Sequence, residues 1–525
     1  MKKKIEDALG HIRLLRVNKL KRDLRTIINP FVYRDKDTIE NDYILTQIVY
    51  DYNFILKIFV FCTSLVKIKK SKIIAYDTHI SWGFLNEKFN YFINLFSKNG
   101  FHFLYEDFSD NLFVEIDIVN GRQPEWIKLT YNSVISQLNS PKDILDIKFD
   151  NILVGDLIYD TYLRYYKMPT IYNIDKNVCN VIFKAIVVYF NFNNLFNTKN
   201  IIYFVTTYTT YIQHGIPTRI ALSKGVTVYS ISSNTYIFQE VTTDFPYHTK
   251  NFTSFSSDLS IEAYNEVKFI FESRFSGSID KAISYMRKSS FSNNDNTYKL
   301  IDKFKCKRRN VVIYIHDFYD SPHINRCLMF DDLYHFVFSV FENIFVDSDS
   351  SFFVKAHPNS VYNTDKILTD LVEKYSYKSI YLLDSSISNN DIIKMRPDLI
   401  VTARGTVTIE MAYFNIPVVA LFDNPYVNFD FVHTCYTLKE FYDIVNGFKS
   451  PALRINRSDI LSFYYQYFLR DTIRDKNNLF SIDFDASLLN NELGLSRALN
   501  ENYNLIHLIE NTQKYLNEYV KLNYV

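Results

Sequence analysis

The stretch DLIVTARGTVTIEMAYFNIPVVALF, residues 398–422, carries the clearest fold signal in this chain. It contains an apolar run at 398–403, a short polar turn, a helical pattern at 406–414 and a second apolar run at 416–422. Short apolar strands separated by helices are typical of a parallel sheet that is covered on both faces. The stretch therefore predicts a strand–helix–strand unit of an α/β domain.

The same alternation extends outward over two blocks of the chain. A polar segment without periodicity, 287–299, separates the blocks and predicts a linker. Because 525 residues exceed the size at which one hydrophobic core stops growing, two domains are expected. We predict two Rossmann-like, doubly wound α/β domains that face a central cleft, with a C-terminal helical tail. The predicted strands are 72–77, 101–107, 151–160, 200–207 and 225–232 in the first block, and 310–318, 351–358, 379–384, 398–403 and 416–422 in the second.

These patterns divide the chain into four predicted segments. A basic helical segment spans 1–45, an N-terminal Rossmann-like domain 46–290, a C-terminal Rossmann-like domain 300–495 and a C-terminal helix 496–525. The basic start of the chain fits either a helix that rests on an anionic membrane or a solvated helix.

Composition excludes several classes of protein. The net charge of +1 gives no global field that would attract nucleic acid, so no nucleic-acid partner is expected. The five cysteines are scattered without a CxxC pair, which argues against a disulfide framework and predicts a cytoplasmic protein. No signal-peptide pattern opens the chain. The apolar stretches 53–66 and 181–192, broken by Lys57 and Lys184, are predicted to be too short to span a bilayer.

The turn after the strand at 398–403 carries the strongest chemical signal. Gly405 lets the backbone turn tightly, and Arg404 supplies a planar fork suited to phosphate or carboxylate. Thr406 can cap the following helix or donate its hydroxyl, and the free N–H groups of that helix favour an anion. Glu410, one helical turn later on the same side, can accept hydrogen bonds from ribose hydroxyls. An ordinary turn with a capping threonine and a solvent-facing glutamate is the alternative.

Two other strand ends of the second block are also polar. The run KAHPNS at 355–360 places Lys355, His357, Pro358 and Asn359 after a strand, and proline disfavours helix at the histidine. The run IHDFYDSPH ends the strand at 310–318 with His316 and Asp317. Neither the GxGxxG nor the GxxxxGK[ST] motif occurs, and no convincing metal-ligand spacing is present, so no metal is expected.

The runs IHDFYDSPH, KAHPNS and TARGTVTIEMAYFNIPVVA together resemble the C-terminal half of GT-B glycosyltransferases that build bacterial capsule and lipopolysaccharide. The resemblance is closest to Kdo transferases and extends to bacterial sialyltransferases. It implies a cytidine-linked sugar donor, with no other cofactor. Arg-Gly-Thr stands where sialyltransferases have paired serines, which leaves the base of the nucleotide open. The donor-binding residues that follow from the strand ends and the resemblance are His316, Asp317, Lys355, His357, Pro358, Asn359, Arg404, Gly405, Thr406 and Glu410.

Candidate bases for an acceptor hydroxyl lie in the first half of the chain. In VGDLIYDTYLR, Asp156 and Asp160 are four residues apart, with Arg164 four further on, so all three share one helical face. That spacing fits a general base at Asp156, with Asp160 beside it, or a plain salt-bridge ladder. In YIQHGIPTR, His214 precedes a glycine at another strand-to-helix transition and is an alternative base.

The residues and the resemblance together predict an inverting, metal-independent glycosyltransferase of the cytoplasm, with peripheral contact at the inner membrane face left open. By the resemblance alone, the leading donor is Kdo or a related ulosonic acid linked to CMP. The expected partner is a growing glycan or lipid-linked glycan, and contact with other polysaccharide-assembly enzymes is left open. Alternatives are a UDP-sugar-dependent transferase, a non-hydrolysing sugar-nucleotide 2-epimerase, and a degenerate glycan-binding scaffold without activity. The acceptor, the linkage and the oligomeric state are not encoded in any recognisable motif.

Overall fold

A computed structural model describes about two thirds of the chain and divides it into two compact units. The first unit lies within Met1–Tyr131, Phe183–His248 and Thr472–Val525, and the second within Asn132–Ile182 and Thr249–Asp471. The described residues are 42–48, 52–77, 101–103, 125–231, 238–249, 259–279, 289–291, 296–298, 302, 304, 307–324, 328–346, 349–358, 360, 363–469, 509–514 and 516–517.

The first unit is built on a six-stranded sheet. Its strand order is β3-β2-β1-β6-β7-β8, and its neighbours are parallel except for the antiparallel pair β7 and β8. The strands are β1 (Asp42–Ile48), β2 (Lys72–Asp77), β3 (Phe101–Phe103), β6 (Asn200–Thr206), β7 (Thr227–Ile231) and β8 (Phe238–Val241). Its helices include α1 (Tyr52–Ile68) and α5 (Ile212–Ser223), while the division between the units falls inside α2 (Glu125–Gln137), after Tyr131.

The second unit contains a six-stranded sheet in which every neighbour is parallel, in the order β11-β10-β9-β12-β13-β14. Its strands are β9 (Arg309–Tyr314), β10 (Ser350–Lys355), β11 (Ile380–Leu382), β12 (Leu399–Thr402), β13 (Val418–Leu421) and β14 (His433–Cys435). Both sheets have the doubly wound strand order, which confirms the predicted Rossmann-like α/β class.

The central strands of this second sheet are buried on both faces because helices cover the sheet. Val311, Val312 and Ile313 of β9 and every residue of β12 are buried. The helices are α6 (Ile261–Ser273), α7 (Leu333–Asn343), α8 (Thr364–Lys374), α9 (Asn389–Met395), α10 (Val407–Tyr413), α11 (Leu438–Val445) and α12 (Arg457–Tyr464). Helix α4 (Lys176–Thr198) begins in this unit, and the division between the units falls inside it.

One predicted strand is wrong. Residues 151–160 form a short hairpin, β4 (Lys148–Phe149) with β5 (Ile152–Leu153), followed by helix α3 (Gly155–Tyr166). Every residue from Gly155 to Leu163 is buried, as the residues of a strand inside a sheet would be. Periodicity alone does not separate a fully buried helix from a strand.

The division into units also differs from the predicted boundary near residue 290. Residues 132–182 and 249–290 belong to the second unit, although the prediction placed both in the N-terminal domain. The predicted linker at 287–299 is partly packed against other parts of the second unit: Phe291 is buried, and Asn296 N–H donates to Asp391 Oδ1 of helix α9 at 2.9 Å.

Several predictions about the chain ends and membrane spans have a mixed outcome. The basic segment before residue 42 lies outside the described residues, while 509–514 and 516–517 are helical within the predicted C-terminal helix. Contrary to the prediction for 181–192, α4 is long and apolar enough to cross a membrane by length and composition. About 61% of its most apolar window is buried in the fold, as in a core helix.

Candidate functional site

A cavity of about 460 Å³ lies in the second unit where the strand order of the sheet reverses, between β9 and β12. Ligands of open α/β sheets bind at this switch point, beyond the carboxyl ends of the strands. Nine of the ten predicted donor-binding residues line the cavity: His316, Asp317, Lys355, His357, Pro358, Arg404, Gly405, Thr406 and Glu410. The tenth, Asn359, lies outside the described residues.

Arg404 follows β12 and lines the cavity with a guanidinium that is bonded on one arm. Its Nη2 donates to the carbonyl oxygen of Pro322 at 2.6 Å. Its Nη1 is buried and has no hydrogen-bond partner among the described residues. A buried donor without a partner costs about 1–3 kcal/mol, which an oxygen atom of a ligand would recover.

Gly405 brings the backbone of this turn against the imidazole of His316, at the end of β9. Its φ is +143°, and a Cβ on it would lie 3.2 Å from His316 Nε2. Burial, together with the nearby charges of Arg404 and His357, lowers the pKa of His316 to about 3. His316 is therefore a neutral imidazole at physiological pH.

The predicted capping role of Thr406 is wrong. Thr406 is the N-cap residue of α10, but its side chain makes no capping hydrogen bond, because it has the helical backbone conformation (φ −62°, ψ −21°). A threonine hydroxyl caps from an extended conformation, where it can reach the free N–H groups of the first turn. Helix α10 also has only 7 residues, so side chains more than the helix would have to bind an anion here.

The end of β10 contributes a buried lysine and a histidine. Lys355 Nζ donates to the carbonyl oxygen of Ile387 at 2.6 Å, and burial lowers the pKa of Lys355 to about 8. Burial also lowers the pKa of His357, although the carboxylate of Asp320 opposes that shift. Both side chains are thus less often charged than their exposed counterparts.

Glu410 is buried rather than solvent-facing, and both of its oxygens have protein partners. Oε1 lies 3.3 Å from Arg274 Nη1, and Oε2 accepts from Asn389 Nδ2 at 3.1 Å. Asn389 Oδ1 in turn accepts from the hydroxyl of Tyr314 at 3.0 Å. The simple turn that the sequence left open for Glu410 is excluded by this network.

Sequence reasoning missed Arg274, the partner of Glu410. The side chain is fully buried, and its guanidinium lies over the rings of Phe271 (5.9 Å) and Tyr464 (5.5 Å). The aromatic neighbours are the only local signal, since FESRF at 271–275 places two phenylalanines beside the arginine. In a chain that is 17% aromatic this signal is too common to be recognised.

Neither Asp156 nor Asp160 is among the residues that line the cavity. Asp160 Oδ1 lies 2.6 Å from Nδ1 of His323, and its Oδ2 accepts from the backbone N–H of His323 at 3.3 Å. Asp156 is buried in the same helix, one turn earlier. The salt-bridge ladder to Arg164 does not account for Asp160, because the partner of this carboxylate is a histidine from the loop after β9.

His214 belongs to the first unit, in α5, and is buried. Its Nδ1 is hydrogen-bonded to the side chain of Gln47 in β1, and its ring lies 5.6 Å from that of Tyr208. Burial, with the neighbouring His248, lowers the pKa of His214 to about 3. A group with so low a pKa is a weak proton acceptor at neutral pH.

Among the described residues, His433, Cys435 and Glu440 are close enough together to hold a metal ion. The ligand atoms of His433 and Glu440 already have protein partners. Glu440 Oε1 pairs with Lys449 Nζ at 2.5 Å and with His433 Nε2 at 3.3 Å, and His433 Nδ1 accepts from Ala452 N–H at 3.0 Å. A metal would have to displace the lysine, so we assign no metal here.

No protein-family model and no functionally curated protein matches the sequence. Similar solved structures include a UDP-GlcNAc 2-epimerase from Methanocaldococcus jannaschii in complex with UDP-GlcNAc and UDP (12% identity, TM-score 0.25, 80% of this chain and 97% of that chain). KpsC from Thermosulfurimonas dismutans, a beta Kdo 2,7 transferase, has 12% identity and a TM-score of 0.27 over 52% of this chain and 79% of its own. HepE from Anabaena, in complex with UDP, has 10% identity and a TM-score of 0.27 over 83% of this chain and 98% of its own. At these identities and scores, none of the three assigns an activity to this chain.

Proposed function

We propose that this chain is a glycosyltransferase whose nucleotide-sugar donor binds in the switch-point cavity of the second unit. The observation that carries the proposal is Arg404, which lines the cavity and keeps a buried Nη1 without a hydrogen-bond partner among the described residues. The guanidinium of Arg404 thus has one nitrogen, Nη2, bonded to the protein and another, Nη1, without a partner among the described residues, and this arrangement suits a phosphate oxygen. A donor phosphate supplies that oxygen.

The other walls of the cavity fit the remaining parts of a nucleotide. Glu410 already accepts two interactions, but an ionised carboxylate has about four acceptor sites, so it can still accept from a ribose hydroxyl. Neutral His316 can hydrogen-bond a base edge or a phosphate without adding a second charge beside Arg404. Lys355 and His357 supply further nitrogen donors at the end of β10.

The donor we propose is CMP-linked Kdo or a related ulosonic acid, on the strength of the resemblance of the strand-end runs. Such a donor carries a phosphate and a sugar carboxylate, and Arg404 and Lys355 offer two cationic groups. The acceptor would be a growing surface glycan at the cytoplasmic face of the membrane. Since none of the three predicted bases lines the cavity, the proposal assigns no general base.

The test is nucleotide binding by the full chain. Thermal shift and calorimetric titration with CMP, CDP, UMP, UDP and GDP would be compared for the wild type, Arg404→Gln, His357→Ala and the control Arg308→Ala. Arg308 is exposed and immediately precedes β9, so it lies at the amino-terminal end of that strand, opposite the end that leads to the cavity. A nucleotide at a hundredfold excess over its dissociation constant should stabilise the wild type and the control by about 2.7 kcal/mol.

The pattern of binding decides between the donors. Stabilisation by CMP, lost in Arg404→Gln and His357→Ala, supports the CMP-linked donor, while stabilisation by UDP alone replaces it with a UDP-sugar. No stabilisation by any nucleotide overturns the proposal in favour of a scaffold without activity.

A sugar-nucleotide 2-epimerase is the second candidate, because Asp317, Asp320 and His357 line the same cavity and could exchange a proton at a sugar carbon. Incubation with UDP-GlcNAc in deuterium oxide, without an acceptor, tests it. Deuterium at C2 of the sugar would favour the epimerase, and an unlabelled sugar would exclude it.

A further inference from the structure

Arg404 is held in place by a loop, Asp317–Ile324, that follows β9. The arm of Arg404 that is bonded donates to the carbonyl oxygen of Pro322 at 2.6 Å. This loop consists of two consecutive turns, in which Asp320 N–H donates to Asp317 O and Ile324 N–H donates to Ser321 O, each at 3.2 Å. The direction of the open arm of Arg404 therefore depends on where the loop holds Pro322.

The loop is anchored by Asp160 of helix α3. Both carboxylate oxygens of Asp160 contact His323, the residue after Pro322, one at the ring Nδ1 (2.6 Å) and one at the backbone N–H (3.3 Å). The side chains of Asp160 and His323 are only 2% and 12% exposed. A carboxylate that binds a ring and the adjoining backbone together fixes both the position and the orientation of the loop.

The charges around His323 strengthen this anchor. Burial lowers the pKa of His323, but the carboxylates of Asp160 and Asp156 in α3 and of Asp332 before α7 outweigh that effect, so the net pKa is raised. A protonated imidazole bonded to a carboxylate forms a charge-assisted hydrogen bond, which is stronger than a neutral one.

We propose that Asp160 is a positioning residue that aims Arg404 at the phosphate of the donor through His323 and Pro322. The proposal rests on the proposed function and deepens it. It also changes the role predicted for Asp160, from a candidate base to a support of the donor site.

The test compares nucleotides with nucleosides, because only nucleotides carry the phosphate. Dissociation constants for CMP, UDP, cytidine and uridine would be measured with the full chain for the wild type, Asp160→Ala, Asp160→Asn and the control Asp175→Asn. Asp175 lies in the same stretch of chain, accepts from the N–H groups of Asn177 and Val178, and is not among the residues that line the cavity. Near-ultraviolet circular dichroism would establish that each variant is folded.

We expect Asp160→Ala to weaken nucleotide binding at least tenfold and nucleoside binding less than twofold. Asp160→Asn keeps an acceptor for the ring N–H and should lose less than Asp160→Ala, and Asp175→Asn should lose nothing. Helix α3 retains a second anchor in the variants, since Tyr159 OH donates to Asp332 Oδ2 at 2.7 Å.

Nucleotide affinity should also fall as the pH rises through the raised pKa of His323, because the charge of the anchor is then lost. In Asp160→Asn this fall should move to lower pH. Equal losses of nucleotide and nucleoside affinity, or tighter nucleotide binding from removal of a negative charge near Arg404, overturn the proposal. A wild type that binds no nucleotide overturns the proposed function itself, which is a distinct result.

Discussion

Replacing Gly405 with alanine should destabilise the second unit and weaken nucleotide binding. Gly405 has a φ of +143°, a region that residues with a Cβ rarely adopt, and such strain costs about 1–3 kcal/mol. The new Cβ would also lie 3.2 Å from His316 Nε2, so the imidazole must shift by a few tenths of an ångström. Overpacking of this kind adds about 1 kcal/mol, which brings the expected loss to about 2–4 kcal/mol.

The matched control is Gly277→Ala in the same unit. Gly277 has a φ of +91°, but its added Cβ would meet only Phe291 O at 3.4 Å, an ordinary contact. That variant should lose about 1–2 kcal/mol of stability through the backbone alone and should bind nucleotide normally. Urea unfolding gives the stability of each variant, and calorimetric titration gives its affinity for the nucleotide that binds the wild type.

The two variants together distinguish the effect of backbone strain on stability from the effect of the position of Arg404 on nucleotide affinity. Because Gly405 joins Arg404 to Thr406, we expect Gly405→Ala to lose about tenfold in nucleotide affinity, equivalent to about 1.4 kcal/mol. Our reasoning is refuted if Gly405→Ala is as stable as the wild type, or if Gly277→Ala loses as much affinity as Gly405→Ala.

Three further predictions follow from the buried charges. Burial lowers the pKa of Lys355 from 10.5 to about 8, so the unfolded chain binds more protons than the folded chain between those pH values. The resulting destabilisation of the folded state, about 3 kcal/mol, is complete below pH 8 and disappears towards pH 10.5. Lys355→Met should therefore raise the urea midpoint at pH 7 but not at pH 10.5, and it should weaken nucleotide binding. Arg274→Met leaves Glu410 buried without its cation and should lower the free energy of unfolding in urea by about 3–5 kcal/mol. The control Lys439→Ala breaks an exposed ion pair and should lower it by less than about 1 kcal/mol. A small effect of Arg274→Met would contradict the assignment of a buried ion pair. The pKa of His316 in the folded chain is about 3, so the stability that it contributes is lost as the pH falls from 6.5 towards 3. His316→Asn should therefore reduce the dependence of the urea midpoint on pH over that range. An unchanged pH dependence would show that the imidazole is not buried and neutral.

The ends of β9, β10 and β12 were predictable from sequence because their constraints are local. A strand buried on both faces of a parallel sheet must be continuously apolar, and the first polar residues after it must lie at the edge of the sheet. His316, Lys355 and Arg404 follow such runs directly. The shared edge brings them to one cavity without any further information.

Other parts of the site depend on partners that are distant in sequence. The sequence left Glu410 as either a ribose-binding residue or a solvent-facing one, and its burial beside Arg274 depends on a residue 136 positions earlier in the chain. The spacing of Asp160 similarly suits a base or a salt bridge to Arg164. Its partner in the structure, His323, is 163 residues later in the sequence. No periodicity or motif encodes such pairs, because each depends on the packing of elements that are far apart in the chain.

The assembly of the second unit from two stretches has a consequence for its synthesis. Helix α3, in Asn132–Ile182, leaves the ribosome before the strands of Thr249–Asp471 have been made. Asp160 and His323 are 163 residues apart, and closing a loop of that length costs roughly 4–5 kcal/mol of chain entropy. Residues of α3 such as Leu157 and Ile158 are buried in the complete second unit, which exists only once Thr249–Asp471 has been made. Helix α3 therefore lacks that part of its core for much of translation, and the second unit can complete its fold only after its last residue has been synthesised.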